Sequence, residues 1–210
     1  MADARSEILS RIRRALRGAP DLPLPPGGSL CPSARYRTEV GRDLLERFLR
    51  EAEAVGVRVH RSPGRELVQT VVEILRAEGA RRVGVAEEIR ALIAPLRAAG
   101  FEAGGVEVAR EAEAGVTGAD WGLAETGSLV LLAGPTQDRL LSLLPPVHIA
   151  VLPEDRILPD LDALFERLGD VPTALTFITG PSRTADIEQT LTPGVHGPGV
   201  VHVVVGGSLP

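Results

Sequence analysis

Residues 67–86 read Leu67-Val68-Gln69-Thr70-Val71-Val72-Glu73-Ile74-Leu75-Arg76-Ala77-Glu78-Gly79-Ala80-Arg81-Arg82-Val83-Gly84-Val85-Ala86. Leu67, Val68, Val71, Val72 and Leu75 lie on one face of a helix, which is predicted over 64–78. Gly79 stops it, and Val83 to Ala86 then reads as a strand. The same unit recurs on both sides. Upstream, Leu44, Leu45, Phe48, Leu49, Ala52 and Val55 mark a helix over 42–55, stopped by Gly56 and followed by an alternating strand from Val57 to His60. Downstream, a helix over 88–99, interrupted or kinked at Pro95, ends at Gly100 before a strand from Val106 to Ala109. This β–α alternation with short connections predicts an α/β fold with a largely parallel sheet flanked by helices.

The second half changes character. Leu129 to Ala133 and Ile149 to Leu152 are continuously apolar, as suits strands buried on two faces. Thr173 to Thr179 and Val200 to Val205 follow in the same style, with short helices expected at 137–144, 160–168 and 184–191. Seven or eight strands in one continuous sheet is the expectation. At the other end, Ile8, Leu9, Ile12, Ala15 and Leu16 form the narrow apolar stripe of an amphipathic helix over 1–17, edged by five arginines. Pro20, Pro23, Pro25, Pro26, Gly27, Gly28 and Pro32 make 18–37 a linker, so the first helix reads as an appendage to an α/β domain over 38–210.

Composition removes whole reaction classes. The 210 residues suffice for one sizeable core, and all 23 basic residues are arginine, with no lysine and no asparagine. No Schiff base, no pyridoxal phosphate aldimine and no P-loop lysine can therefore be built. Arginine serves as an electrostatic clamp and not as a base. A net charge of −5 argues against nucleic acid, and 3% aromatic content against a base-stacking surface. Cys31, the single cysteine, cannot close an internal disulfide or hold a metal or cluster alone, so a reducing cytoplasmic location is expected with no metal and no cofactor. The longest apolar runs fall far short of a membrane span, and the N-terminus lacks the apolar stretch of a secretory signal.

Three loops are rich in small and polar residues. In the first, Glu125-Thr126-Gly127-Ser128 looks like a tight turn between two strands, with Gly127 supplying an unusual backbone angle. A hairpin turn explains it; so does a site in which a partly buried Glu125 works as an acid or base. In the second, Gly180 and Pro181 end a strand, and Ser182 or Thr184 can cap the helix expected after them. There the helix dipole and Arg183 favour a carboxylate or phosphate, whereas Asp186 and Glu188 in the first turn oppose an anion and could pair with Arg183 instead. Both readings stay open. In the third, His196 stands in Gly194-Val195-His196-Gly197-Pro198-Gly199, where close ligand approach and acid–base work near neutral pH are both possible. His60 and His148 sit at strand positions as packing residues, and the spacing of His196 and His202 is not that of a metal site. Open α/β sheets bind ligands at the carboxyl ends of their strands, which is where these loops are expected.

The run from Ala119 to Leu131, together with Gly180-Pro181-Ser182-Arg183-Thr184-Ala185-Asp186-Ile187-Glu188 and Gly194-Val195-His196-Gly197-Pro198, resembles the LUD-domain family. The opening Ile8-Leu9-Ser10-Arg11-Ile12-Arg13 adds a resemblance to its lactate utilisation protein C subfamily. The resemblance implies a fold similar to the sugar-phosphate isomerase and CoA-transferase (NagB/RpiA) superfamily. It also implies a part in oxidising L-lactate to pyruvate beside iron–sulfur partner subunits. A single cysteine and the lack of a G-x-G-x-x-G fingerprint agree that electrons are handled elsewhere. Glu125 and His196 are then the candidate catalytic residues, and Thr126, Gly127, Ser128, Gly180, Pro181, Ser182, Arg183, Thr184 and Gly197 the candidate ligand-binding residues for a small organic anion. A free-standing enzyme on phosphorylated or CoA-like molecules, and a non-catalytic assembly subunit, are the alternatives; oligomeric state is not legible.

Overall fold

The periodic segments become helices and the apolar runs become strands. The structure, a computed structural model, describes residues 4–17, 43–62, 66–133, 139–168, 174–185, 191–193 and 196–206. The chain divides into two units, Met1–Tyr36 and Arg37–Pro210. The first contains α1 (Ala4–Leu16), on which Ile8, Leu9 and Ile12 are exposed. The linker proposed at 18–37 and Cys31 lie outside the described residues.

The second unit runs α2 (Leu44–Ala54), β1 (Arg58–Ser62), α3 (Leu67–Ala77), β2 (Arg82–Val85), α4 (Ile93–Ala98), β3 (Glu102–Gly104), β4 (Ala114–Gly118), β5 (Trp121–Leu123), β6 (Ser128–Leu132), β7 (Val147–Pro153), β8 (Ile157–Leu158), α5 (Leu161–Arg167), β9 (Leu175–Ile178), β10 (Arg183–Ala185), β11 (Leu191–Pro193) and β12 (Val200–Gly206). Six strands form a parallel sheet in the order β1-β12-β7-β4-β2-β3. Every residue of β7 is buried, as its unbroken apolar run requires of a strand covered on both faces. Val147, Ile149 and Val151 join the core under α3 and α4, whereas Ala150 and Leu152 face Phe48, Leu49 and Ala52 of α2.

Two glycines let the sheet accept a leucine. A Cβ on Gly115 would lie 1.9 Å from the backbone oxygen of Leu141, and one on Gly84 would lie 2.2 Å from Leu141 Cδ2. Leu141 thus seats fully buried in a notch across β2 and β4, a burial worth roughly 1.5–3 kcal/mol.

Four expectations are corrected. The sheet is not continuous: β6 and β9 belong to a separate four-stranded sheet, ordered β8-β5-β6-β9, in which β5–β6 and β6–β9 are antiparallel. Both faces of that sheet are covered, one by α2 and the parallel sheet and the other by α5, so its strands carry apolar runs without being parallel. Val106–Val108 is a 3-10 turn and the strand is Glu102–Gly104, because the Glu107 carboxylate folds back to accept from the Gly105 N–H at 2.7 Å. The break in the helix after β2 falls at Ile89 (φ −123°), while Pro95 sits in the first turn of α4, where no N–H is needed. Where a helix is expected over 184–191, residues 183–185 and 191–193 pair as antiparallel strands, Thr184 opposite Thr192.

Candidate functional site

The last turn of α2 organises the loops. Asp43 caps this helix by accepting from the Glu46 N–H at 3.1 Å, and the helix ends at Val55, immediately before β1. Two separate segments rest on its final turn and on Gly56 just beyond it. The turn Ala124–Gly127 joins β5 to β6, closed by the Gly127 N–H donating to the Leu123 carbonyl at 2.9 Å. Gly127 has φ +64°, and a Cβ there would stand 2.2 Å from the Ala52 nitrogen. Gly180, at φ +87°, follows β9, and its Cβ would stand 2.3 Å from the Val55 carbonyl oxygen. Arg183 lies over Gly56, where a Cβ would come within 2.8 Å of Nη2.

Antiparallel pairing of β6 with β9 brings Ser128 beside Thr179. Their hydroxyls are 2.7 Å apart, and Thr126 Oγ1 lies 2.7 Å from Ser128 Oγ, a partly buried chain of three hydroxyls. Each hydroxyl has one proton and two lone pairs, so such a chain keeps capacity at its ends for a further partner. The third loop joins through the Ser182 N–H, which donates to the Pro198 carbonyl at 2.9 Å; a Cβ on Gly197 would touch Ser182 Cβ at 3.3 Å. All three loops therefore meet, through Thr126–Ser128, Thr179–Arg183 and Gly197–Pro198. Thr184 follows on β10. Glu125 and His196 are exposed, and the Glu125 N–H donates to the Pro159 carbonyl at 3.0 Å.

The electrostatic setting differs from expectation in two ways. Among the described residues no helix follows Gly180, so none presents a positive end to Ser182 and Arg183; the neighbouring helix end is the carboxyl end of α2, which is negative. Arg183 is exposed and makes no ion pair among the described residues, while Asp186 and Glu188 lie outside them. The cluster also lies at the amino side of the parallel sheet, because Gly56 precedes β1 and Pro198 precedes β12. The side sheet explains this: its hairpin turn reaches α2 rather than the carboxyl edge.

A second polar group was not legible as one. His60, on β1, meets His202, on β12, with Nε2 and Nδ1 2.9 Å apart and the rings stacked. His202 Nε2 lies 3.4 Å from Glu78 Oε1, which Arg58 also holds. Burial and the facing His60 push the His202 imidazole down to about 4, and burial followed by Arg58 also lowers His60. On the other face, His148 is fully buried with Nε2 2.9 Å from Thr117 Oγ1, and burial pushes it down to about 4. Spacing could not reveal the first pair, since the residues are 142 positions apart and meet through parallel pairing. Among the described residues no group of three or more His, Cys, Asp or Glu side chains is arranged to hold a metal ion, and no helix is long and apolar enough to cross a membrane.

The parallel sheet, the mixed side sheet and the loop-built corner define an α/β domain whose polar corner lies at the amino side of the parallel sheet. The LUD domain model matches residues 45–205, and the chain belongs to the LUD-domain family. It is similar to lactate utilization protein C of Halalkalibacterium halodurans (43% identical over 100 residues, 44% of each chain). It is similar also to that of Macrococcus caseolyticus (42% over 100 residues, 44% of this chain and 43% of that one). The matches thus span less than half the length of these curated relatives. The crystal structure of a DUF162 family protein from Deinococcus radiodurans is similar in fold, at TM-score 0.60 and 29% identity, over 79% of this chain and 97% of that one.

Proposed function

We propose that this chain is a cytoplasmic subunit of a lactate-utilisation system. In this reading it binds a small organic acid at the corner made by Thr126, Gly127, Ser128, Gly180, Pro181, Ser182, Arg183, Thr184 and Gly197. The observation that carries the reading is the meeting of three loops, distant in sequence, two of them against the end of α2 and Gly56 and the third on Ser182, with a hydroxyl chain and an exposed guanidinium. A 2-hydroxy or 2-oxo acid offers a carboxylate to Arg183 and an oxygen to the hydroxyls, a match in hydrogen-bond type. Glu125 and His196, exposed at the rim, are the acid–base candidates for any proton transfer there. Iron–sulfur partner subunits would carry the electrons, since the single cysteine supplies no cluster.

The test is calorimetric titration with L-lactate and with pyruvate. Arg183→Ala is expected to weaken binding by about 1.5 kcal/mol, roughly tenfold in Kd, the lower end for a charged hydrogen bond because the guanidinium is exposed. Unchanged affinity in the variant overturns the assignment of Arg183. Lactate-dependent dye reduction by the reconstituted partners, with and without this chain, tests the role in the system; equal rates would sink it.

A further inference from the structure

A second concavity lies at the carboxyl side of the parallel sheet, away from the loop corner. It has a volume of about 590 Å3 and runs between the helical segment that follows β2 and the end of edge strand β3. One face of that segment supplies Glu87, Arg90, Ala91, Ala94 and Arg97, which recur at helical spacing, and Ile93 lies beside them. The opposite wall is Gly104, Gly105 and Glu107. The volume is within the range of small-molecule pockets, and the place is where open α/β sheets bind ligands.

The charges in the groove are arranged by specific bonds. Arg90 Nη1 donates to Glu87 Oε1 at 3.1 Å, which accounts for Glu87. Arg97 Nε donates to the Ala103 carbonyl at 2.8 Å, and the rest of its guanidinium has no bond to another described residue. Glu107 Oε1 accepts from the Gly105 N–H at 2.7 Å, while Oε2 has no described partner. Both glycines make room for that carboxylate: a Cβ on Gly105 would stand 2.7 Å from Oε2, and one on Gly104 3.0 Å from Oε1. Backbone N–H groups of Glu107 and Gly105, with Arg90 and Arg97 nearby, hold Glu107 below the usual carboxylate range, so it stays ionised at neutral pH. A donor-only cation and an acceptor-only anion thus line one groove, and Ala91, Ile93 and Ala94 add apolar lining beside them.

We propose that this groove binds an α-amino acid with an apolar side chain, its carboxylate on Arg97, its ammonium on Glu107 and its side chain along Ala91, Ile93 and Ala94. A simple anion would satisfy Arg97 and meet the Glu107 carboxylate; a simple amine would do the reverse. A ligand carrying both charges pairs with both groups at once, and the 590 Å3 volume leaves space for a branched side chain.

The full chain is titrated calorimetrically with L-leucine, with 4-methylpentanoate (no ammonium) and with 3-methylbutylamine (no carboxylate). Leucine binds, and each analogue binds at least about tenfold more weakly, one charged hydrogen bond being lost in each case. Glu107→Gln, which keeps an oxygen for the Gly105 N–H, and Arg97→Gln, which keeps a donor for the Ala103 carbonyl, each weaken leucine by a similar factor. Their thermal midpoints stay at the parent value. No heat from leucine at millimolar concentration, or equal binding of all three compounds, overturns the proposal. So does full affinity in either folded variant.

Discussion

Replacing Gly127 by alanine is expected to lower the unfolding free energy by about 3–5 kcal/mol, a large share of what a domain of this size possesses. Two costs add. A side chain at φ +64° enters the left-handed region, which costs roughly 1–2 kcal/mol. The new methyl group would also stand 2.2 Å from Ala52 N and 2.5 Å from Ala52 Cα, both backbone atoms of a helix that cannot yield without moving its buried Phe48 and Leu49. Gly79 is the internal control. Its φ is +70°, but a Cβ there has nothing within 4 Å, so Gly79→Ala carries the backbone cost alone, about 1 kcal/mol. Urea midpoints of the two variants separate the contributions. Equal losses would mean that α2 does not press on the turn, and the corner of three loops would lose its base.

Acidification is the second large effect. His148 is neutral in the folded protein because burial, then the neighbouring His202, holds its imidazole down to about 4 against 6.5 when exposed. The unfolded chain therefore takes up the proton first as pH falls. Stability is complete above pH 6.5 and declines progressively from there to about pH 4. The full loss from this one group is about 3 kcal/mol, of which about 2 kcal/mol falls between pH 7 and pH 5. His202 and His60 are lowered in the same direction and add to the decline. Glu107 and Glu113 are held below the usual range, chiefly by backbone N–H groups, so their contributions are lost only at lower pH. Urea unfolding at pH 7 and pH 5 measures the slope. His148→Gln, which can still bond to Thr117, is expected to be less stable at pH 7 but flatter by about 2 kcal/mol over that interval. An unchanged slope would show that His148 takes no part.

Much of this architecture was legible, and the failures have physical causes. The periodic faces of 44–54 and 67–77 and the apolar runs at 147–153 and 200–206 are strong because burial demands one residue type at every inward position. Burial does not encode which sheet a strand joins, however, so Leu129–Leu132 reads as part of one continuous sheet, although the turn at 125–128 already reads as a hairpin. Val106-Glu107-Val108 alternates as a strand should, yet one carboxylate bonding to Gly105 turns it into a 3-10 helix. Ser182 and Thr184 resemble helix caps, but pairing between 183–185 and 191–193 prevailed over that local preference. The three loops of the candidate site were legible as separate motifs; their meeting place was not. It depends on what Gly127 and Gly180 touch, and a glycine in a sequence announces an unusual backbone without naming the neighbour that requires it.

The position of β12 has a consequence for how the protein is made. This strand lies between β1 and β7, and His202 enters 142 residues after the His60 it pairs with. As the chain leaves the ribosome, β1 and β7 are finished long before the strand that joins them, so each waits with an open edge. Contacts of such separation form late and slowly. The sheet can close only after residues 200–206 have emerged, so a nascent chain that stalls earlier would expose the unpaired backbone edges of β1 and β7 to chaperones or to its neighbours.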